Sequence, residues 1–333
     1  MKQFKLLRGL VLVISALIMI TAAWLAISPG SDEAEEDLTA LPEAQRINQA
    51  PVSPVIQRDG NVVRIEMTAQ RTDIEISQDV IYNAWTFNGI VPGPVLRVKQ
   101  GDLLQFTLVN MDPEMPHSMD FHAVHAAPSR KFIEIMPDEQ GTFEYSADTP
   151  GVFMYHCGAS PVLLHVANGM YGTIIVEPED GYETDHEIDQ TYTLVQSEWY
   201  AENDLDDFQH GDPEYVVFNG DDFSLKEKPL LAKVGDKVRL YVMNAGPNHV
   251  SSFHVVGTTF DRVYLDGNPQ NVLYGMQTVL IPAGGGAVVE FTVTEAGDYP
   301  VLTHQLNDAF KGAIAILRAT HDGQDHGEPT MSH

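Results

Sequence analysis

The sequence predicts an all-β protein: two tandem Greek-key β-sandwich domains behind an N-terminal hydrophobic segment. Three observations carry this. From about residue 60 the apolar segments are short, β-branched and alternating, as in Val62-Val63-Arg64-Ile65-Glu66-Met67 and Leu103-Leu104-Gln105-Phe106-Thr107-Leu108, the pattern of strands with one buried face. Gly, Pro, Asn and Asp bound them, and no long helical period intervenes. The chain also repeats itself. Thr86-Phe87-Asn88-Gly89 returns as Val217-Phe218-Asn219-Gly220, and Val98-Lys99-Gln100-Gly101-Asp102 as Ala232-Lys233-Val234-Gly235-Asp236. Asp120-Phe121-His122-Ala123-Val124 returns as Ser252-Phe253-His254-Val255-Val256, and Gly172-Thr173-Ile174-Ile175-Val176 as Gly312-Ala313-Ile314-Ala315-Ile316. Offsets of 131, 134, 132 and 140 residues imply two copies of one sandwich, residues 56–182 and 183–320 of 333.

Ahead of the sandwiches, Lys2, Lys5 and Arg8 precede an apolar run from Gly9 to about Ile27. Residues 1–30 read as a signal peptide or a membrane anchor. The run approaches the roughly 20 residues that span a bilayer and exceeds the roughly 7–15 of a cleaved signal core. No clean small-x-small site follows, which favours the anchor. In either case the body is exported, periplasmic or anchored to the membrane facing the periplasm. Residues 31–55 are acidic and Pro-containing, a linker. Residues 321–333, with His321, His326 and His333, read as a disordered tail. Asp and Glu outnumber Lys and Arg by 47 to 19, a formal charge of −28. Such a field repels nucleic acid and favours solubility ahead of cationic protein partners.

A single cysteine excludes an intrachain disulfide, and its neighbours give it another role. Cys157 is followed by His165 and Met170, with His117 upstream. One thiolate, two imidazoles and a weak thioether form a trigonal copper site for electron transfer. Successive side chains of a strand point to opposite faces, so His156 faces away from the metal of Cys157. Asp120 and His122 share a parity that His117 lacks. The residues therefore sort into His117, Cys157, His165 and Met170 at one metal, and His122, His156 and Asp120 at another. A catalytic metal usually takes three protein ligands, and His304, at the repeat of the His156-Cys157 strand, is the natural third imidazole. His254 repeats His122 and is either a ligand or an acid opposite Asp120. The second copy has neither Cys nor Met in its Leu302-Thr303-His304-Gln305 segment. His125, His210 and His249 read as loop residues.

In these motifs the chain resembles the copper-containing nitrite reductases, two-domain cupredoxins of the multicopper oxidase superfamily, from about residue 60 to 320. The matching stretches are His117-Ser-Met-Asp120-Phe-His122, His156-Cys157 with His165 and Gly169-Met170, Phe253-His254-Val255-Val256-Gly257, and His304-Gln-Leu-Asn-Asp-Ala-Phe310. The resemblance implies a type 1 copper on His117, Cys157, His165 and Met170. It implies a type 2 copper on His122, His156 and His304, two coppers per chain, with His304 donated by a neighbour in a homotrimer. Asp120 and His254 match the catalytic pair, and Val256 the aliphatic wall of the substrate pocket. The implied activity is reduction of nitrite to nitric oxide, with electrons from a small donor such as a cytochrome c or a cupredoxin. Two departures stand out: Gln277-Thr278 replaces a Glu-Thr pair, and the Cys-to-His loop is about one residue shorter. The rival readings are a laccase-like multicopper oxidase, which needs several His-x-His pairs, and an exported copper electron carrier.

Overall fold

The computed structural model describes residues 47–327. The hydrophobic segment of residues 1–30, the linker up to residue 46 and His333 lie outside them. Four sheets account for the architecture. The first joins Val55–Asp59, Val62–Ser77, Leu103–Asn110 and Gln140–Ser146, with Val80–Phe87 on the far part of the long strand. The second runs Leu96–Lys99, Tyr171–Glu177, Gly151–His156, Asp120–Phe121. The third has six strands, with Lys237–Asn244 and Gly286–Thr292 at its centre, and the fourth is Leu230–Lys233, Ile314–Thr320, Gly297–Thr303, Ser251–Val255, Thr278–Ile281.

Alternation explains how the sheets stack. Leu104, Phe106 and Leu108 face a core that also holds Val63, Ile65 and Met67 from the first sheet and Tyr155, Ile174 and Val176 from the second. Val238, Leu240 and Val242 face a second core with Phe253, Val255 and Val301. The two middle sheets pack against each other as well as against their own cores. Val152, Met154 and Ile175 point away from the first core and pack on Val195, Tyr241, Met243 and Val288 of the third sheet. Each large apolar side chain so enclosed contributes about 1.5–3 kcal/mol. The outcome is a four-layer stack in which the first and fourth sheets keep a free outer face.

The internal repeat is a repeat of turns. Asn88 and Gly89 both have positive φ (61° and 76°), as do Asn219 and Gly220 (58° and 98°), a conformation that Asn and Gly tolerate best. In the other repeated turn, Asp102 accepts from the Lys99 amide (2.7 Å) and Asp236 from the Lys233 amide (2.8 Å).

Two expectations about the ends are corrected. The linker is not free from residue 47 on: Gln49 donates to Arg71 O (2.9 Å) and Val52 to Asn88 O (3.0 Å), and a strand begins at Val55. The tail, expected to be disordered from residue 321, folds back as far as Gly327. There Arg318 pairs with Asp325 (2.6 Å) and His326 with Asp322 (3.0 Å).

Candidate metal centres

The strand Gly151–His156 sorts its side chains as its parity requires. Phe153, Tyr155 and Cys157 face the first core, whereas Val152 and Met154 face the third sheet. His156 shares the second parity and Cys157 the first. Asp120 lies directly across from His156, and Phe121 from Tyr155.

The first set converges. His117 is bridged to Ile135 through two backbone hydrogen bonds (3.1 and 2.8 Å). His165 lies on a short helix, Val162–Ala167. The Nδ1 atoms of His117 and His165 are 3.2 Å apart, and Cys157 Sγ is 3.8 and 3.3 Å from them. All three residues are buried, and among the described residues they are the only His, Cys, Asp or Glu group of three or more with converging ligand atoms. Met170 is buried beside them: its carbonyl accepts from the Cys157 amide and its amide donates to the His165 carbonyl, both at 3.1 Å.

The proton inventory fits a cation. Nε2 of His117 faces the Asp112 carboxylate at 3.1 Å. A carboxylate only accepts, so Nε2 carries a proton and Nδ1 is the atom turned toward the cluster. Burial, with His117 nearby, pushes His165 down to about 3, which favours its neutral ring. Burial pushes the Cys157 thiol up to about 12, although the Ser118 amide donates to its sulfur at 3.3 Å. Two imidazoles and a thiol, buried and aimed at one point, suit a soft cation that stabilises the thiolate.

The second set converges only in part. His156 donates from Nδ1 to the Cys157 carbonyl (2.8 Å), and His122 from Nδ1 to the Gly284 carbonyl (3.3 Å). Their Nε2 atoms face each other at 3.1 Å. Asp120 Oδ2 is 3.8 Å from His156 Nε2. Burial lowers the His156 pKa against opposing contributions from the Cys157 carbonyl and Asp120, which again favours a neutral ligand. His304 is elsewhere. Its amide donates to Ser252 O (2.7 Å), and its ring centroid is 5.6 Å from that of His254. Phe253 and Val255 face the second core, so His254, of opposite parity, projects from the free face of the fourth sheet, with Val256 (38% exposed) beyond it. His254 donates from Nδ1 to the Gln277 backbone carbonyl (2.5 Å); the main chain, not the Gln277 side chain, orients the ring. Sheets pack about 10 Å apart, so roughly 20 Å of second sandwich separates His304 from the His122–His156 pair.

Multicopper oxidase family models match residues 68–181 and 197–312. A copper-containing nitrite reductase of Neisseria gonorrhoeae is 39% identical over 282 residues, covering 80% of this chain and 71% of its own. The corresponding protein of Pseudomonas chlororaphis is 30% identical and covers 89% of each chain. A solved copper nitrite reductase from Nitrosomonas europaea superposes with a TM-score of 0.75 at 39% identity, covering 79% of this chain and 95% of its own. The chain belongs to the copper-containing nitrite reductases. Its two sandwiches are cupredoxin-like, and copper is the metal of this family.

Three contributors near the first cluster escaped the sequence reading. Asp112 holds His117, Arg71 holds Asp112 (Nε to Oδ2, 2.9 Å), and the Trp85 ring lies edge-on to both imidazoles, 5.8 Å from His117 and 4.9 Å from His165. Asp112, in Asn-Met-Asp-Pro, reads as an ordinary turn residue; only its spacing of five from His117 hinted otherwise. His249 lies in a loop, as expected, and acts there as a clamp: Nδ1 is 3.1 Å from both Asp308 oxygens and Nε2 is 3.0 Å from Gly211 O. His210 is corrected, since it ends the helix Leu205–His210. His125 is exposed in a turn, as expected.

Proposed function

We propose that the protein reduces nitrite by one electron, with two protons, to nitric oxide and water. In this reading His117, Cys157, His165 and Met170 hold a type 1 copper. His122 and His156 of one subunit, with His304 of its neighbour, hold a type 2 copper in a homotrimer, two coppers per chain. Bound there, copper supplies one-electron exchange at the thiolate set and Lewis-acid polarisation of nitrite at the imidazole set.

The observation that carries the reading is the back-to-back placement of Cys157 and His156. One faces the buried cluster, the other the half-built set, and the His156 ring donates to the Cys157 carbonyl. The electron has a path of one residue and one hydrogen bond. Asp120, beside His156 and with its side chain 29% exposed, is placed to hold a proton for the departing nitrite oxygen. His254, fixed by the Gln277 carbonyl through Nδ1, keeps Nε2 free to do the same from the neighbouring subunit. Val256 walls the pocket. The exposed faces carrying His122 and His304 give the interface its two halves. A small cytochrome c or cupredoxin fits the role of donor, and an exported body, periplasmic or membrane-anchored, suits such partners.

A laccase-like trinuclear cluster needs several His-x-His pairs, and the sequence has none. The test is direct. The copper-loaded protein, given nitrite and an artificial one-electron donor, should release nitric oxide in proportion to donor oxidised. Oxygen consumption without nitric oxide would assign it to the oxidases instead.

A further inference from the structure

The buried cluster has an electrostatic counterweight built from residues outside its ligand set. Asp112 is fully buried and Arg71 is 6% exposed. Every acceptor position of Asp112 is used. Oδ1 accepts from the Glu114 and Met115 amides (2.9 and 3.2 Å), and Oδ2 from Arg71 Nε and His117 Nε2 (2.9 and 3.1 Å). Its own amide donates to Asn110 Oδ1 (3.0 Å). Arg71 is fixed as firmly. Its second nitrogen meets Glu114 at 2.9 Å, and its guanidinium lies 5.3 Å from the Trp85 centroid. Trp85 in turn packs against both imidazoles.

We infer that Arg71 and Asp112 are positioning residues that set the potential of the copper held by His117, pulling it in opposite directions. The inference rests on His117 being a ligand. A carboxylate that accepts from the remote nitrogen of a ligating imidazole fixes its tautomer and makes it a stronger donor. Stronger donation, and a negative charge so close, favour the more positive, oxidised ion. Asp112 therefore lowers the potential. Arg71 shares the same carboxylate oxygen and withdraws part of its charge, so it raises the potential. Glu114, with its side chain 59% exposed, is screened by solvent and contributes little.

Asp112→Asn, Arg71→Met, Arg71→Lys and Glu114→Gln separate this from a packing role. Each variant is purified with copper, and the visible thiolate band is followed in a redox titration. Asp112→Asn should shift the midpoint upward and Arg71→Met downward. Arg71→Lys, which keeps the charge, and Glu114→Gln should stay near wild type. Shifts of the same sign in Asp112→Asn and Arg71→Met, or none, overturn the inference. Should Asp112→Asn fail to fold, the comparison of Arg71→Met with Arg71→Lys decides, and equal midpoints refute the electrostatic role. Absence of the visible band from the wild-type protein would instead sink the reading of His117, Cys157 and His165 as ligands.

Discussion

If the catalytic metal is shared between subunits, two crippled chains should repair each other by a predictable amount. His156→Ala destroys the half-site on the first sandwich, and His304→Ala the half-site on the free face of the fourth sheet. A metal–imidazole bond is about 2 Å long, while roughly 20 Å of sandwich lies between the halves within one chain. Each parent homotrimer should therefore be inactive. In a one-to-one mixture assembled at random, an interface works only where a His304→Ala chain presents His122 and His156 to a His156→Ala chain presenting His304. In a head-to-tail ring that occurs at about one interface in four. Co-refolded mixtures should regain about a quarter of wild-type turnover, and the same fraction of type 2 copper signal. Two different affinity tags prove exchange. Mixtures that contain both tags and stay inactive would falsify the shared site.

Cys157→Ala should abolish the visible thiolate band and donor-driven turnover while copper on the His122–His156 half-site persists, because those imidazoles are held by carbonyls rather than by the sulfur; metal analysis and visible spectroscopy check it. Asp120→Asn keeps the shape but cannot pass a proton, so turnover should fall by about 10²–10⁴-fold with both coppers retained; undiminished activity and an unchanged pH profile would make Asp120 structural. Glu198 is buried, which raises its pKa despite hydrogen bonds from Tyr200 and the His249 and Asn248 amides. Between its ordinary and its raised value the folded chain binds more protons than the unfolded one, so stability falls as pH rises through that window. Glu198→Gln should flatten that decline in urea melts taken at a series of pH values.

The parity of neighbouring residues was the most legible feature of the sequence. Phe121 and Tyr155 had to be buried, which left Asp120 and His156 on the opposite face; no tertiary information was needed to say so. The helix carrying His165 was not legible. Val162–Ala167 is six residues long, too short to show a helical period, and its Leu163 and Leu164 read equally well as strand or loop. Arg71 and Asp112 are separated by 41 residues, and each looks like a solvated charge until the first sheet brings them under Trp85. The first residues of the tail were misread for a related reason. Gly, Asp and His composition argues for disorder, but Arg318 on the last strand is buried enough to need Asp298 and Asp325.

The repeat shows why only the first copy brings a thiol and two imidazoles together. In both copies an Asn opens the ligand loop in the same way: Asn110 donates to Met115 O and Ile135 O, and Asn244 to His249 O and Ile281 O. Phe121 and Phe253 take the same core position, 132 residues apart. That offset sets His117 against His249. The strand partner of Asp120 is His156, and His304 donates to Ser252, so Cys157 is set against Gln305. In the second copy the thiolate position thus carries an amide, which donates to Val250 O (3.0 Å). His249 has both ring nitrogens occupied by Asp308 and Gly211 O. Neither ring nitrogen is left free to face inward. The outward histidines, His122 and His156 in one copy and His254 and His304 in the other, survive in both. Under the proposed function, a fold whose copies keep their outer imidazoles and differ in their inner ones would have one buried electron site per chain. Its outer imidazoles would then complete each other across a boundary between chains.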